Sequence, residues 1–551
     1  MKNYLKQIAF LLALAFVVST SFAQQVAKPE KVKVVETYSR LSMTFIMGSQ
    51  SGVNAAPAIS AEKIKFSDKY FNHNLKSLNL PLSPDYNGMT FDKKRAYLRD
   101  LLTKEGMGRK MIAKWFNRQS NGMMNLDYVH QCGLYNATDQ DVKMAVAAKR
   151  GDAFLKDAGQ NLVNKTYVLI LVPNDVKSKD DGKTRGWDCQ YDLFFYQLLF
   201  TPDVVENFYK VWPYEDDDRT VKQTKVAAFD TLTFKFADVY NRSFQSASVS
   251  ETLTNNKKPK SLDQLMEELV NRMYENATFQ LDKSIEDFRV KVKVSKVHPT
   301  RAKIGKKEGL KVDQQYFVYQ YKFDEAKGIV SPVRHAVVRT TKNIVDNRTV
   351  ATGSSPESSF YQTYGGTIQE GMILQQRLDF GLSAMAGIES GISGNIGGFD
   401  LNFMFRTGPI TKVTGLYLMI DLGFQSGNYK TSWNTSPKDF SFFRYSFGLG
   451  KGFRVGRIVE LTPYLQYGIE QTKDDTYKEI NTSLLKPGIM LGINLMHNLY
   501  LVGQLNSYMP FGDIGVKDQS DNKLTLTGKT WSTEFKDRSG SAMMFGVRYE
   551  F

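Results

Sequence analysis

The sequence contains little cysteine, histidine or proline, and each shortage excludes a class of protein. Only 2 cysteines occur in 551 residues, too few for a disulfide-rich scaffold, and the 5 histidines are dispersed along the chain. With 16 prolines and 41 glycines the composition does not fit a fibre. Hydrophobic residues make up 42% of the chain, so we expect a folded protein whose length suggests several domains.

Long apolar runs are also missing. Beyond the first 23 positions no stretch of uncharged apolar residues reaches the roughly 18 that a membrane-spanning helix needs. This absence excludes a helical membrane protein. It does not exclude a barrel, because a transmembrane strand needs only about 10 residues of alternating character.

The N-terminus predicts export. Lys2 and Lys6 precede a short apolar run from Ile8 to Val18, and small residues at Ser21 and Ala23 prepare a cleavage before position 24. Residues 1–23 are therefore interpreted as a signal peptide, since the run is too short to span a membrane. In an oxidising periplasm Cys132 and Cys189 could form one disulfide, although the sequence does not reveal their geometry.

Residues 375–551 alternate strictly between apolar and polar or small side chains, as barrel strands do. In the last segment Met543, Phe545 and Val547 share one face, while Met544 and Arg548 lie on the other. Eight such segments follow one another, and the first is placed at Leu378 to Ile388. The second, fourth and sixth connections are short and most of the others are longer. This pattern is typical of an antiparallel outer-membrane barrel with both ends in the periplasm.

The chain ends on Phe551, with Tyr549 two positions before it. This ending resembles the C-terminal signal of bacterial outer-membrane β-barrel proteins, and the resemblance covers the last third of the chain. It implies outer-membrane lipid as the surroundings and the barrel assembly machinery as a partner during biogenesis. The tripeptide Asp230-Thr231-Leu232 also resembles a short glycosylation motif of some Bacteroidota.

An eight-stranded barrel has an interior that side chains fill. The alternation assigns charges of both signs to that interior, where they can pair. A plugged anchor and a pore gated by these pairs are both compatible with the pattern. The assigned residues are Asp379, Asp400, Arg406, Asp421, Arg444, Glu460, Glu470, Lys486, Arg548 and Glu550.

Residues 24–288 mix helix and strand patterns, which indicates an α/β domain. Ser261 and Gln264 form a capping-box pattern before a long amphipathic helix, and further helices are predicted from Asp92 to about Phe116 and from near Thr138. Strands are predicted at Tyr167 to Val172, Tyr191 to Phe200, Val226 to Phe236 and Val290 to Val297. Residues 289–374 are predicted to form a smaller β-rich domain. Its glycine placement and strand spacing resemble small SH3-like domains of periplasmic assembly and trafficking proteins.

No catalytic motif occurs. H-E-x-x-H and G-x-S-x-G are missing, and Gly182-Lys183-Thr184 lacks the first glycine of a phosphate-binding loop. We therefore expect no enzyme, cofactor or metal site.

The net charge of +15 lies mostly outside the barrel. After removal of two lysines with the signal peptide, and with 18 basic and 16 acidic residues from position 376 onward, about +11 belongs to residues 24–375. Such a body would be attracted to peptidoglycan or an acidic periplasmic protein, whereas nucleic acid is not expected in that compartment.

The sequence thus predicts a barrel-anchored periplasmic interaction or assembly region. A pore or transporter and a barrel-tethered enzyme are the alternatives.

Overall fold

The computed structural model describes residues 41–49, 64–72, 79–129, 132, 162–253, 259–324, 329–348, 356–393 and 396–551. The predicted signal peptide and the predicted helix near Thr138 lie outside these residues. None of the helices described is long and apolar enough to cross a membrane.

The first unit is built on a mixed β-sheet. Its strands are paired in the order β2-β1-β4-β5-β6, with β3 beside β1; the β1 pairings are parallel and the β4–β5 and β5–β6 pairings are antiparallel. The strands are β1 Leu41–Ser49, β2 Tyr70–Asn72, β3 Asn79–Pro81, β4 Thr166–Asp180, β5 Thr184–Leu198 and β6 Phe236–Thr252.

Helices cover both faces of this sheet, because successive strand residues point to opposite sides. In β4, Val168 and Ile170 pack on one face with helices that include the four given below, whereas Leu169 and Leu171 pack with a long helix on the other. The unit is therefore an α/β sandwich of three layers. The four helices are α1 Phe91–Lys104, α2 Met107–Trp115, α3 Pro202–Lys210 and α4 Arg219–Phe229, and the long helix is α5 Leu262–Ser284.

The two cysteines, which could form one disulfide judging by the sequence, pack on different faces of the sheet. Cys132 is buried in the cluster that contains α1 to α4, and Cys189 is buried in the cluster under α5. The two thiols are not joined. The layer of strands between them explains why, since a disulfide requires Cα atoms within about 7 Å.

Two local predictions in this unit are wrong. The single helix predicted from Asp92 to Phe116 is two helices, because Gly106 adopts a left-handed conformation with φ +60° between α1 and α2. The run from Val226 to Phe236 begins as helix α4, which Asp218 caps by accepting hydrogen bonds from the backbone N–H groups of Thr220 and Val221.

The capping box of α5 is confirmed. Ser261 Oγ accepts a hydrogen bond from the Gln264 backbone N–H at 3.2 Å, and Gln264 Oε1 accepts one from the Ser261 N–H at 2.9 Å. Together they satisfy two of the donors that a helix start leaves open.

A second unit, here called the small barrel, follows α5. Six short strands pair in the closed order β10-β11-β8-β7-β12-β9 around an apolar core. The strands are β7 Lys291–Val297, β8 Thr300–Ala302, β9 Gln315–Asp324, β10 Ile329–Thr340, β11 Ser358–Gly365 and β12 Ile373–Arg377.

The predicted C-terminal β-barrel is confirmed as a closed ring, here called the large barrel. Each ring strand pairs antiparallel with the next in sequence, and the last pairs with the first. The ring strands are β13 Leu382–Gly391, β14 Gly397–Arg406, β15 Leu416–Tyr429, β16 Lys438–Lys451, β18 Val459–Thr472, β19 Tyr477–Met496, β20 Leu499–Asp518 and β22 Gly540–Glu550.

Shorter elements lie in the connections of the large barrel. Strand β17 (Phe453–Val455) and helix α6 (Gly408–Thr411) belong to the short connections at one end. At the other end β20 continues to Asp518, and the final connection adds β21 (Lys523–Thr530) and helix α7 (Trp531–Glu534). The first strand starts at Leu382, four residues later than predicted.

Helix α5 offers a test of the α/β core. Replacement of Leu269, which is fully buried, by alanine should lower the free energy of unfolding by about 2–5 kcal/mol through lost burial and a cavity. Leu262→Ala, at the exposed start of the same helix, should change it little. Urea denaturation of the detergent-solubilised protein measures both, and equal losses for the two variants would contradict the assigned packing.

Candidate functional site

The interior and exterior of the large barrel differ sharply in chemistry. On β14, Asp400 and Arg406 point inward and are buried, while Phe403 and Phe405 point outward with 39% and 38% of their surface exposed. Every ring strand follows this two-residue period. The barrel is therefore polar inside and apolar outside, the inverse of a soluble barrel.

The exposed apolar side chains continue from strand to strand around the outside. A soluble protein rarely exposes a contiguous apolar surface of this extent, so this belt requires an apolar environment. Its members include Leu418, Ile420, Phe447, Leu449, Leu465, Tyr467, Leu491, Leu501, Leu505 and Phe545.

Inside, one group of charges surrounds Lys486 and Arg444, and we call it the central charge cluster. Lys486 Nζ lies 2.9 Å from Asp421 Oδ1 and 3.6 Å from Asp400 Oδ2. Arg444 lies 2.7 Å from Glu389 and 3.6 Å from Asp400. All five side chains are at most 4% exposed, so each charge is held by others and not by solvent.

The end of the barrel that carries the long connections is closed by an aromatic cap. Trp531 and Phe535, from the last connection, pack with Phe442 and Tyr429 of the ring. Trp531 Nε1 donates to Glu470 at 2.7 Å, and Arg538 also pairs with that carboxylate. The last connection thus folds into the barrel and ties itself to an interior charge.

A second group of charges lies at the opposite end, where the connections are short. Glu460 is 2.5 Å from Arg454 and 3.2 Å from Arg548, and it accepts a hydrogen bond from the Tyr417 hydroxyl at 3.0 Å. Arg406 pairs with Glu550 at 3.0 Å. We call this group the mouth charge cluster.

Methionines separate the two clusters. Met404 lies between Asn402 and Arg406 on β14, and Met419 lies between Tyr417 and Asp421 on β15. Five buried methionines contribute to this layer. They are Met385, Met404, Met419, Met490 and Met544.

The small barrel is docked on the mouth charge cluster. Arg339, which is 2% exposed, is 3.2 Å from Glu550 and 2.5 Å from Asp379. Asp313 of the small barrel accepts a hydrogen bond from the backbone N–H of Gly415 at 2.7 Å. The buried guanidinium is therefore neutralised by carboxylates that belong to the other unit.

The remaining short connections of the large barrel also contact the small barrel. Arg457, in the connection between β16 and β18, donates to the Thr367 hydroxyl at 2.9 Å, and Asn494, near the end of β19, donates to the backbone carbonyl of Thr363 at 2.6 Å. Contacts at three connections and at the C-terminal strand fix the small barrel over this end of the large barrel.

Asp379 is a correction to the sequence-based interior. The alternation placed it inside the barrel, but it precedes β13 and pairs with Arg339 of the small barrel. Gly381, with φ +66°, separates Asp379 from the strand, so the two-residue period does not extend to it.

The other predicted interior residues lie in one of the two clusters or, for Glu470, against the cap. Four charged participants were missing from that set: Glu389, Arg339, Arg454 and Arg538. Glu389 could have been found by extending the predicted first strand by one residue, because it has inward parity. Arg538 lies in a connection and Arg339 in another unit, where alternation carries no signal. At the C-terminus, the Tyr549 and Phe551 rings contact each other 5.1 Å apart.

His497 lies in a short connection against the small barrel. Its ring packs edge-on to Phe317, and Arg334 Nη1 is 3.4 Å from its Nε2. Burial, together with the positive charges of Arg334 and Arg377, lowers the pKa of His497 from 6.5 to about 4. The docked arrangement thus requires the neutral imidazole, which accepts from Arg334.

Comparisons with known proteins found matches among solved structures, each over about a third of this chain. No family model matches this chain. No curated protein matches it either.

Among solved structures, a major outer membrane protein from Thermus thermophilus is 18% identical over 31% of this chain and 98% of its own, with a TM-score of 0.22. Ail, the attachment invasion locus protein of Yersinia pestis, is 16% identical over 32% of this chain and 100% of its own, at 0.19. The N-terminal β-barrel domain of Pseudomonas aeruginosa OprF is 10% identical over the same shares, also at 0.19.

Lys486 tests whether the interior charges depend on one another. Lys486→Ala leaves Asp400 and Asp421 buried without their ammonium partner. We therefore expect the free energy of unfolding, measured in guanidinium, to fall by about 3–5 kcal/mol. The matched variant Lys438→Ala removes an exposed pair with Asp475, which solvent screens, and should leave the unfolding midpoint nearly unchanged. Similar midpoints for the two variants would contradict the network.

His497 predicts that acid weakens docking. Its pKa is lower in the docked state than the ordinary 6.5, so the undocked state binds more protons between those values. Stability should therefore be highest above about pH 6.5 and fall as the pH approaches 4. Urea unfolding of the small barrel measures the effect at three pH values: one above this window, one within it and one at its lower end. In His497→Gln the free energy of unfolding should depend less on pH. An unchanged profile in that variant would contradict the assignment.

Proposed function

We propose that the protein is an outer-membrane protein whose plugged large barrel anchors the small barrel and the α/β unit in the periplasm. The observation that carries this proposal is the inverted chemistry of the large barrel, with an apolar belt outside and paired charges inside. A closed ring of strands satisfies its own backbone hydrogen bonds, which is the requirement for crossing lipid.

The lengths of the connections support the proposed orientation. In outer-membrane barrels the turns on the periplasmic side are short and the outer connections are long. The short connections of this chain lie at the end that contacts the small barrel, and the chain also enters and leaves the large barrel there. This arrangement supports a periplasmic location for residues 24–375.

The interior supports an anchor over a pore. Charged side chains of both signs fill the central and mouth clusters, and a methionine layer lies between them. The aromatic cap covers one end and the small barrel covers the other. A path for solutes would require at least two of these layers to move together.

The docking contacts support a role in which the periplasmic body is held in a fixed position. Arg339 is buried between two carboxylates of the large barrel region, so separation would expose or strand three charges. A body held in this way suits interaction or assembly at the inner surface of the membrane. Its basic balance of about +11 favours peptidoglycan or an acidic periplasmic protein as the partner.

The anchor and the pore differ in conductance. The purified protein in planar bilayers should give no steady open-channel current, because both ends and the middle of the barrel are filled. A porin inserted under the same conditions serves as the positive control, and heat-modifiable gel mobility verifies that the barrel is folded. Steady single-channel steps would replace the anchor with the pore or transporter.

The proposed orientation predicts protection from external protease. Trypsin added to intact cells should leave the α/β unit uncut, although the hairpin of β4 and β5 carries the exposed residues Lys177, Lys179 and Lys183. Permeabilising the outer membrane should make the same bonds cleavable. Cleavage in intact cells at these lysines would place the body outside the cell and contradict the proposal.

A further inference from the structure

A strained aromatic residue marks one edge of the α/β sheet. Phe244, on β6, has φ +52° and 80% of its surface exposed. A bulky residue rarely adopts a left-handed conformation, and an exposed phenylalanine gains nothing from burial. The packing of the described residues therefore gives no reason for this side chain.

A buried carboxylate stabilises the strained backbone conformation of Phe244. Asp192 on β5 is 2% exposed and accepts a hydrogen bond from the Phe244 backbone N–H at 3.2 Å. The other oxygen of its carboxylate lies 3.4 Å from Lys94 Nζ of helix α1. The fold therefore uses a buried carboxylate to fix the position of one exposed ring.

Two β-bulges flank Asp192 at the same level of the sheet. In β4 the pairing with β5 shifts at Asn174, and in β6 it shifts at Ser243 and Phe244. Bulges re-aim side chains and are frequent beside functional sites. Two of them on either side of one strand define a local departure from a regular sheet.

A polar groove begins at this level. Two cross-strand rows line it, Asp175–Gln190–Ser246 and Lys177–Asp188–Ser248, each with one residue from β4, β5 and β6. The groove has a volume of about 320 Å³, which is within the range of ligand sites, roughly 300–1,000 Å³. It opens at β6, an edge of the described sheet, so a chain-like ligand can continue past it.

The charges of the groove neutralise one another. Asp175 is 2.6 Å from Lys177, and Asp188 pairs with Lys179 across the strands. The hydrogen bond from Lys179, supported by one from Ser248, lowers the pKa of the Asp188 carboxyl, which keeps it an acceptor. What remains for a ligand is an alternation of acceptors, donors, an amide and hydroxyls, and the exposed Phe244 lies on the same strand two positions before the lining residue Ser246.

From this placement we infer that the groove and Phe244 form a saccharide-binding site. Pyranose hydroxyls both donate and accept hydrogen bonds, as the two polar rows do, and the apolar face of the sugar ring fits against an exposed aromatic side chain. The inference rests on the proposed function for its source of ligand, because a periplasmic body faces the glycan strands of peptidoglycan. The inference adds to the attraction expected from the basic net charge, because the groove would recognise the uncharged sugar chain itself.

The test uses the full chain in detergent and a tetrasaccharide of N-acetylglucosamine, titrated by calorimetry. Wild type should bind saturably, and Phe244→Ala and Gln190→Ala should each weaken binding tenfold or more. Tyr214→Ala, which removes an exposed aromatic elsewhere on the unit, should leave the affinity unchanged. No saturable binding by wild type, or equal affinity in Phe244→Ala, would overturn the inference.

Phe244→Gly separates binding from folding. Glycine adopts positive φ without strain, so this variant should have a higher thermal midpoint than wild type while losing tenfold or more in affinity. Binding of extended peptides but not the saccharide would overturn the inference in favour of strand addition at β6. None of these outcomes depends on conductance, so failure here leaves the anchor proposal standing.

Discussion

The large barrel depends on one constraint: a charge placed inside a closed ring of strands has to find its partner within the ring. Removing a carboxylate or an ammonium group from water costs several kcal/mol unless a counter-charge and hydrogen bonds replace the solvent. Lys486 meets the constraint with Asp400 and Asp421, and Glu460 meets it with Arg454 and Arg548. The interior is consequently a set of interlocked pairs, each of which fixes the rotamers of the next.

The same constraint explains how two separately folded barrels come to be joined. Glu550 lies at the last position of β22, where the interior ends, and its carboxylate receives Arg406 from inside the ring and Arg339 from the small barrel. An interface built on such a shared carboxylate is specific in geometry, because guanidinium groups bind carboxylates in fixed directions. The shared carboxylate also makes the small barrel part of the closure at this end of the large barrel. Removing the small barrel would deprive Asp379 and Glu550 of Arg339 as a partner.

The parts of the fold that could be predicted are those in which one rule governs a long stretch. The two-residue period runs through every ring strand, so the inward set from Asp400 to Arg548 could be predicted without knowing the pairing. The rule fails where a strand stops: Gly381 ends it before Asp379, and Arg538 reaches the interior from a connection. Helix and strand were confused between Val226 and Phe236 because short apolar runs fit both periods. The cysteine positions depended on which face of the sheet each occupied, which requires the pairing of β4 and β5.

Buried charges have different roles in the large barrel and in the α/β unit. In the large barrel, burial and pairing fix the charged side chains of the interior, and the apolar belt covers the outer face of the ring strands. In the α/β unit, Asp192 uses a buried charge to hold Phe244 outward in a conformation that costs free energy. The exposed Phe244 ring gains no free energy from burial, so a fixed orientation is useful only if the ring contacts a ligand. A fixed orientation also requires that the α/β unit itself is held in place. Arg339 docks the small barrel on the large barrel, so the proposed saccharide site would be joined to the proposed anchor through the small barrel, which follows the α/β unit in the chain.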